Sequence, residues 1–185
     1  MVPIENITGR LGNQMFQFAK LYAAAREEGS DFYFQDTKHF EKYGKEIREI
    51  FGQGIGYLPY VGIHVRRGDY VGNPFYCQLW ETGYYIDAID LFPNRKFIVF
   101  SDDMEFAKKY FEGDKFAFDE SPNEIDAFNA LASCDSQIIA NSSFSFWAAY
   151  LNGNPSKKVV APTYDKWYSD GNSTRTVIPP SWIRV

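Results

Sequence analysis

The chain is poor in the residues from which metal centres and hydrolytic sites are usually built. It has two cysteines and two histidines in 185 residues. Cys77 and Cys134 lie far apart, with no second cysteine or nearby histidine to complete a zinc ligand set, so free thiols and no metal are expected. With His39 and His64 as the whole histidine complement and no Gly-x-Ser-x-Gly elbow, a Ser-His-Asp hydrolase has few ways to be assembled. Neither G-x-G-x-x-G nor a Walker sequence occurs, which speaks against an NAD-dependent epimerase or a P-loop enzyme. No run of about 18 apolar residues is present, and residues 1–10 show no basic segment followed by an apolar stretch. The expectation is a soluble cytoplasmic protein without a transmembrane segment. Basic residues are not in excess either: 19 Lys and Arg stand against 24 Asp and Glu, a net charge of −5. Nonspecific wrapping by nucleic acid is therefore not expected, and any anion site must be local.

What the chain has in quantity is apolar surface. Apolar residues make up 45% and aromatics 18%, enough for a substantial core in one domain or two very small ones. The apolar period switches repeatedly between strand-like and helix-like, the mark of alternating β and α units. Residues 2–7 read as a strand, followed by the turn TGRLGNQ. Met15, Phe18, Ala19, Tyr22 and Ala25 then recur at helical spacing up to Gly29. A strand at 31–36 and an amphipathic helix at 38–51 follow. GQGIGYLP at 52–59 holds three glycines and a proline and marks a linker. We place a reduced N-terminal lobe at 1–58 and the main domain at 59–185, with the C-terminal tail a candidate to return to the first lobe.

Downstream, strands YVGIHV, KFIVF, KFAF, QIIA and KVVAP alternate with helices GYYIDAIDLF, MEFAKKYF, EIDAFNALASC and FSFWAAYLN. Uninterrupted apolar strands suit a parallel sheet covered on both faces, so the fold class is α/β with a Rossmann-like layer. In such sheets ligands gather beyond the carboxyl ends of the strands, where the polar motifs of this chain fall.

The first motif, His64-Val65-Arg66-Arg67-Gly68-Asp69-Tyr70, follows a strand directly. Alternation sends His64 and Arg66 to one side and Val65 and Arg67 to the other, Gly68 permits a turn, and Asp69 can hold a guanidinium in place. An arginine so placed is a phosphate clamp, although a surface Arg-Asp pair and a hydrogen-bonded core histidine would look alike. The second, Asn141-Ser142-Ser143-Phe144-Ser145, carries a strand into a helix. Backbone N–H groups and hydroxyls there would make an anion site, and an ordinary serine cap explains one of the three serines. The loop Thr8-Gly9-Arg10-Leu11-Gly12-Asn13-Gln14 resembles a phosphate-approach loop but is weak as a glycine motif. At Ser101-Asp102-Asp103 one carboxylate is expected to cap a helix while the other faces the crevice. Asp126 sits in a helix where it reaches the same crevice or simply faces solvent in a first turn.

Taken together, GRLGNQMFQFA at 9–19, HVRRGDY at 64–70, FSDD at 100–103 and IIANSSFSFWAAYL at 138–151 resemble the alpha-1,2-fucosyltransferase family, glycosyltransferase family 11. The resemblance implies an inverting, metal-independent transferase of shortened glycosyltransferase-B type. It would need no cofactor, taking GDP-fucose as donor and a glycan, favoured as the 2-OH of a galactoside, as acceptor. It implies donor-diphosphate contact by Arg66, with His64 and Asp69 beside it as catalytic candidates. It also implies phosphate and nucleoside binding by Ser142, Ser143, Phe144 and Ser145, guanine pairing by Asp126, and a border to the donor formed by Arg10, Gly12 and Asn13. Family members carry a longer insertion between the first two motifs than the 44 residues from Lys20 to Ile63 here. The acceptor half is thus cut down, and a homo-oligomer is one way to complete it. A nonenzymatic GDP or GDP-sugar binding protein is the competing expectation.

Overall fold

The structure is a computed structural model that describes residues 10–28, 57–169 and 178–185. The chain divides into two units, Met1–Gly54 and Ile55–Val185. In the first, helix α1 spans Leu11–Glu28. The segment has no proline and no β-branched residue, which suits a long helix. Met15, Ala19 and Ala23 are buried, one residue per turn along a single face. The strands read at 2–7 and 31–36, the helix at 38–51 and the stop at Gly29 lie outside the described residues.

The second unit is a six-stranded sheet in the order β3-β2-β1-β4-β5-β6. The strands are β1 Leu58–Val65, β2 Phe97–Ser101, β3 Phe116–Phe118, β4 Cys134–Ile138, β5 Val159–Ala161 and β6 Ile183–Arg184. Every pairing is parallel, so the unit is an α/β, Rossmann-like layer. Helices α2 Tyr84–Asp90, α3 Met104–Tyr110, α4 Glu124–Ala132 and α5 Ser143–Leu151 connect the strands.

Burial explains the central place of β1, whose last five residues are all buried. Val61, Ile63 and Val65 join Tyr84, Tyr85, Ala88, Phe97 and Phe111 in one apolar core. Gly62 meets the other side of the sheet, where a Cβ would stand 2.6 Å from Leu131 Cδ1. Only glycine lets α4 come that close. Helix α5 is buried from Ser145 to Leu151, as its nearly unbroken apolar sequence requires. From α2, the Tyr84 hydroxyl donates to Ile139 O at 2.6 Å and the Tyr85 hydroxyl to His64 O at 3.0 Å. Both hydroxyls thereby satisfy carbonyls just where the central strands end.

Two strands depart from the sequence reading. β4 begins at Cys134, not at Gln137, and helix α4 stops at Ala132. Its polar residues hid it: Ser136 Oγ accepts from Lys158 N at 3.1 Å, Asp135 pairs with Arg95 at 2.6 Å, and the Gln137 amide donates to Leu131 O and Cys134 O. β6 was not anticipated at all. Two residues long, it extends the sheet edge beside Val160 and Ala161. Among the described residues no helix is long and apolar enough to cross a membrane.

Candidate functional site

Strands β1 and β4 are neighbours, and the chain winds outward from them in opposite directions. This is the topological switch point, where a crevice opens beyond the carboxyl ends of the strands. His64–Tyr70 leaves β1 and Ile139–Phe144 leaves β4 into that region. They meet twice: the Tyr70 hydroxyl donates to Asn141 O at 3.0 Å, and the His64 and Phe144 rings lie 5.1 Å apart.

The two adjacent arginines divide into different roles. Arg66 turns one terminal nitrogen to each of two carboxylates, Nη2 to Asp69 Oδ1 at 2.5 Å and Nη1 to Asp102 Oδ2 at 2.7 Å. Its side chain is 12% exposed and that of Asp69 56% exposed, so the outer partner is the one an incoming anion could displace. Arg67 is enclosed. Its guanidinium lies 3.6 Å from the Phe106 ring centre and 4.6 Å from that of Trp80, with Nε on Asp103 at 3.0 Å. Cation–π contact with two rings favours a fixed structural cation.

The two neighbouring carboxylates divide as well. Asp103 caps α3 by accepting from Phe106 N at 3.1 Å. That bond first, and Arg67 second, hold its carboxyl below the ordinary range. Asp102 Oδ1 accepts from Arg67 N at 2.8 Å while Oδ2 holds Arg66, so one side chain orients the guanidinium and the backbone beside it. Gly68 makes room for this: a Cβ there would run into Asp102 Oδ2.

His64 is buried, and its Nδ1 has no hydrogen-bond partner among the described residues. Burial first, and Arg66 second, lower its pKa from 6.5 to about 3. At neutral pH the imidazole is uncharged and a weak proton acceptor, which does not suit a general base.

At the end of β4 the serines are unequal. Ser142 is the N-cap of α5, its Oγ accepting from Phe144 N at 3.3 Å. Ser145, expected at the donor, is wholly buried and ties the turn from inside, accepting from Ala140 N at 3.2 Å and donating to Ser142 O at 3.3 Å. Ser143 and Phe144 are half-buried. Phe144 packs between His64 and Phe128, the latter at 5.4 Å. Asp126, two residues earlier on α4, is exposed and accepts from the amide of the helix cap Asn123 at 2.8 Å; no described contact joins it to the cluster. Arg10, Gly12 and Asn13 open α1 in the other unit, where Arg10 O accepts from Gln14 N at 3.1 Å and Asn13 O from the Gln17 amide at 3.1 Å. Cys77 and Cys134 are both free thiols.

Sequence reasoning did not single out Asn141 or Tyr70 for their roles here. Asn141 is buried and its amide donates to Cys77 O at 3.0 Å and Trp167 O at 2.9 Å. It thus ties two loops to the strand end whose carbonyl Tyr70 holds. Trp80 and Phe106 were likewise invisible as partners of Arg67. A polar residue at a strand end was the available signal for Asn141.

Residues 25–185 match the family model described as Glycosyl transferase family 11. The chain is 30% identical over 197 residues to the alpha-1,2-colitosyltransferase of Escherichia coli, covering 91% of this chain and 67% of that protein. It is 34% identical over 134 residues to the O-antigen biosynthesis glycosyltransferase WbnK of Escherichia coli, covering 66% and 43%. With the galactoside 2-alpha-L-fucosyltransferase SEC1 of Bos taurus it shares 30% over 152 residues, covering 76% and 38%. The chain therefore spans from 38% to 67% of the length of these curated relatives.

Proposed function

Because the chain belongs to glycosyltransferase family 11, we propose that it moves fucose from GDP-fucose to a hydroxyl of a glycan, favoured as the 2-OH of a galactoside, with inversion and without a metal. In this reading the second unit is the donor-nucleotide half of a glycosyltransferase-B enzyme. The observation that supports the reading is the Arg66 fork after β1, in a segment whose His64 and Tyr70 contact Phe144 and Asn141 around the start of α5.

The chemistry explains why that placement matters. The acceptor oxygen forms a bond to C1 of fucose as the bond from C1 to the β-phosphate oxygen breaks. GDP leaves with the electron pair and the acceptor proton passes to a base. Negative charge grows on the diphosphate while the sugar becomes oxocarbenium-like, so cationic and N–H donors must tighten their hold in the transition state. Arg66 supplies a bidentate cation, and the α5 N-terminus supplies amides and the positive end of a helix dipole. Asp69 is the better-placed base candidate, being an exposed carboxylate that a diphosphate would displace from Arg66. His64, uncharged and buried, is suited to donating or accepting one hydrogen bond at the nucleotide.

Two of the relatives named above transfer colitose and fucose respectively, so both sugars, offered as GDP-linked donors, belong in the test. The protein is incubated with each donor and a panel of galactosides, and GDP release is compared with the acceptor-free background. Galactoside-dependent release, lost in Arg66→Ala, is expected. GDP binding without acceptor-dependent release from either donor would instead identify a donor-binding module.

A further inference from the structure

The loop after the Arg66 motif presents aromatic surface that the donor chemistry does not use. Phe75 is 42% exposed and Val71 53% exposed. Phe75 packs at 5.1 Å on both Tyr76 and Tyr168, and Tyr76 stacks on Tyr70 at 3.8 Å, the two planes 2° apart. Tyr70 in turn lies under Arg66, 5.5 Å from its guanidinium carbon. A continuous line of rings therefore leads from the diphosphate clamp to the surface.

The loop is held rigidly in this shape. Val71 at φ −60°, ψ 120° and Gly72 at φ 70° form a type II turn, closed by Asn73 N donating to Tyr70 O at 3.0 Å; the positive φ at its third position calls for glycine. The Asn73 side chain accepts from Phe75 N at 3.0 Å and donates to Asp69 O at 3.4 Å, so it links the exposed ring to the residue that pairs with Arg66. The Gln78 amide donates to Tyr70 O and Tyr76 O. Tyr76 and Tyr168 form an antiparallel bridge, and Ser169 N donates to Phe75 O at 2.9 Å. An aromatic surface already ordered in the free protein lowers the entropy cost of binding a partner to it.

We propose that Phe75, flanked by Tyr76 and Tyr168, is a stacking platform for the acceptor galactopyranose. The inference rests on the transferase reading for its choice of occupant. The axial 4-hydroxyl of galactose leaves C–H groups clustered on the opposite face of the ring. Their weakly positive hydrogens complement the negative face of an aromatic ring. The equatorial hydroxyls then project sideways, clear of the aromatic face. A sugar lying here stacks on rings that lead to Arg66 through Tyr76 and Tyr70 and leaves Arg66 to the diphosphate.

The test uses the full chain and two separate readouts. Saturation-transfer NMR measures binding of methyl β-galactoside, with methyl α-fucoside as a second arm, and calorimetry measures GDP binding. Phe75→Ala is expected to weaken the galactoside about fivefold to tenfold, with GDP affinity and melting temperature unchanged, while Phe75→Trp retains it. The proposal is overturned if the wild type gives no galactoside signal or Phe75→Ala leaves it unaltered. It is also overturned if the fucoside alone responds, or if Phe75→Ala lowers melting temperature and GDP affinity together. A wild type that binds galactoside through Phe75 but not GDP would sink the transferase reading and leave the platform standing.

Discussion

Arg66→Ala removes one side chain but exposes two charges, and the consequences separate. In the transition state the loss of one preorganised donor costs about 10²–10³ in rate, roughly 3–4 kcal/mol. In the ground state Asp69 and Asp102, which the guanidinium neutralises at 2.5 and 2.7 Å, are left facing the diphosphate. Asp69 is 56% exposed, so a water-like dielectric applies, and at about 5 Å each unit of phosphate charge is repelled by roughly 0.8 kcal/mol. For two such charges that is about 1.6 kcal/mol, close to a tenfold loss of affinity. Adding Asp69→Asn to Arg66→Ala should therefore restore GDP affinity about tenfold without restoring transfer. In 1 M salt, where screening acts within about 3 Å, most of the restoration should vanish. Calorimetric titration of GDP into wild type, both single variants and the double variant, at low and high salt, completes the cycle, with circular dichroism as the check on folding. Wild-type GDP affinity in Arg66→Ala, or a double variant that binds no better than the single one, would refute the clamp.

Three further outcomes follow from the same geometry. Because burial and Arg66 lower the His64 pKa from 6.5 to about 3, the unfolded chain takes up a proton that the folded one refuses. Stability should be full above about pH 6.5 and decline toward pH 3 by up to about 1.4 kcal/mol per unit; urea midpoints that track those of His64→Gln between pH 8 and 5 would contradict this. Gly68→Ala places a Cβ against Asp102 Oδ2 and should weaken GDP about tenfold, whereas Gly72→Ala, with open space around it and φ 70°, should cost about 1 kcal/mol of stability and leave GDP binding unchanged; equal effects on GDP would count against the Asp102 link. Asn141→Asp sets an acceptor-only carboxylate against Cys77 O and Trp167 O and should lower stability by about 2–4 kcal/mol, an expectation that a urea midpoint near wild type would defeat.

How much of this was legible in the chain depended on whether a feature is local. Strand and helix periods are local, so β1, β2, β3 and β5 and the helices beside them fell where the apolar pattern placed them. β4 was shortened in the reading because Asp135 and Ser136 look like loop residues until their partners Arg95 and Lys158 are known. β6, two residues long, has no period to read. The same rule governs the site. The diaspartate after β2 was enough to expect one helix cap, which Asp103 supplies, but not that Asp102 would hold both the Arg66 guanidinium and the Arg67 backbone. Which serine would cap and which would be buried was not legible, since Ser142, Ser143 and Ser145 differ only in the turn they enter.

The pair of arginines shows why the remainder needs the fold. Identical side chains on consecutive residues acquire different functions through partners remote in sequence. Trp80 and Phe106 close over Arg67, and the capping of α3 by Asp103 holds the remaining face. With Arg67 immobilised, its backbone N–H becomes a fixed donor to Asp102, and Asp102 becomes a fixed acceptor for Arg66. The arginine held by the rings thus orients its neighbour through a shared carboxylate. In the donor-binding reading, preorganisation of Arg66 therefore includes an aromatic pair whose described cation–π contacts are with Arg67, and a change at Trp80 or Phe106 is expected to reach a bound diphosphate along that route.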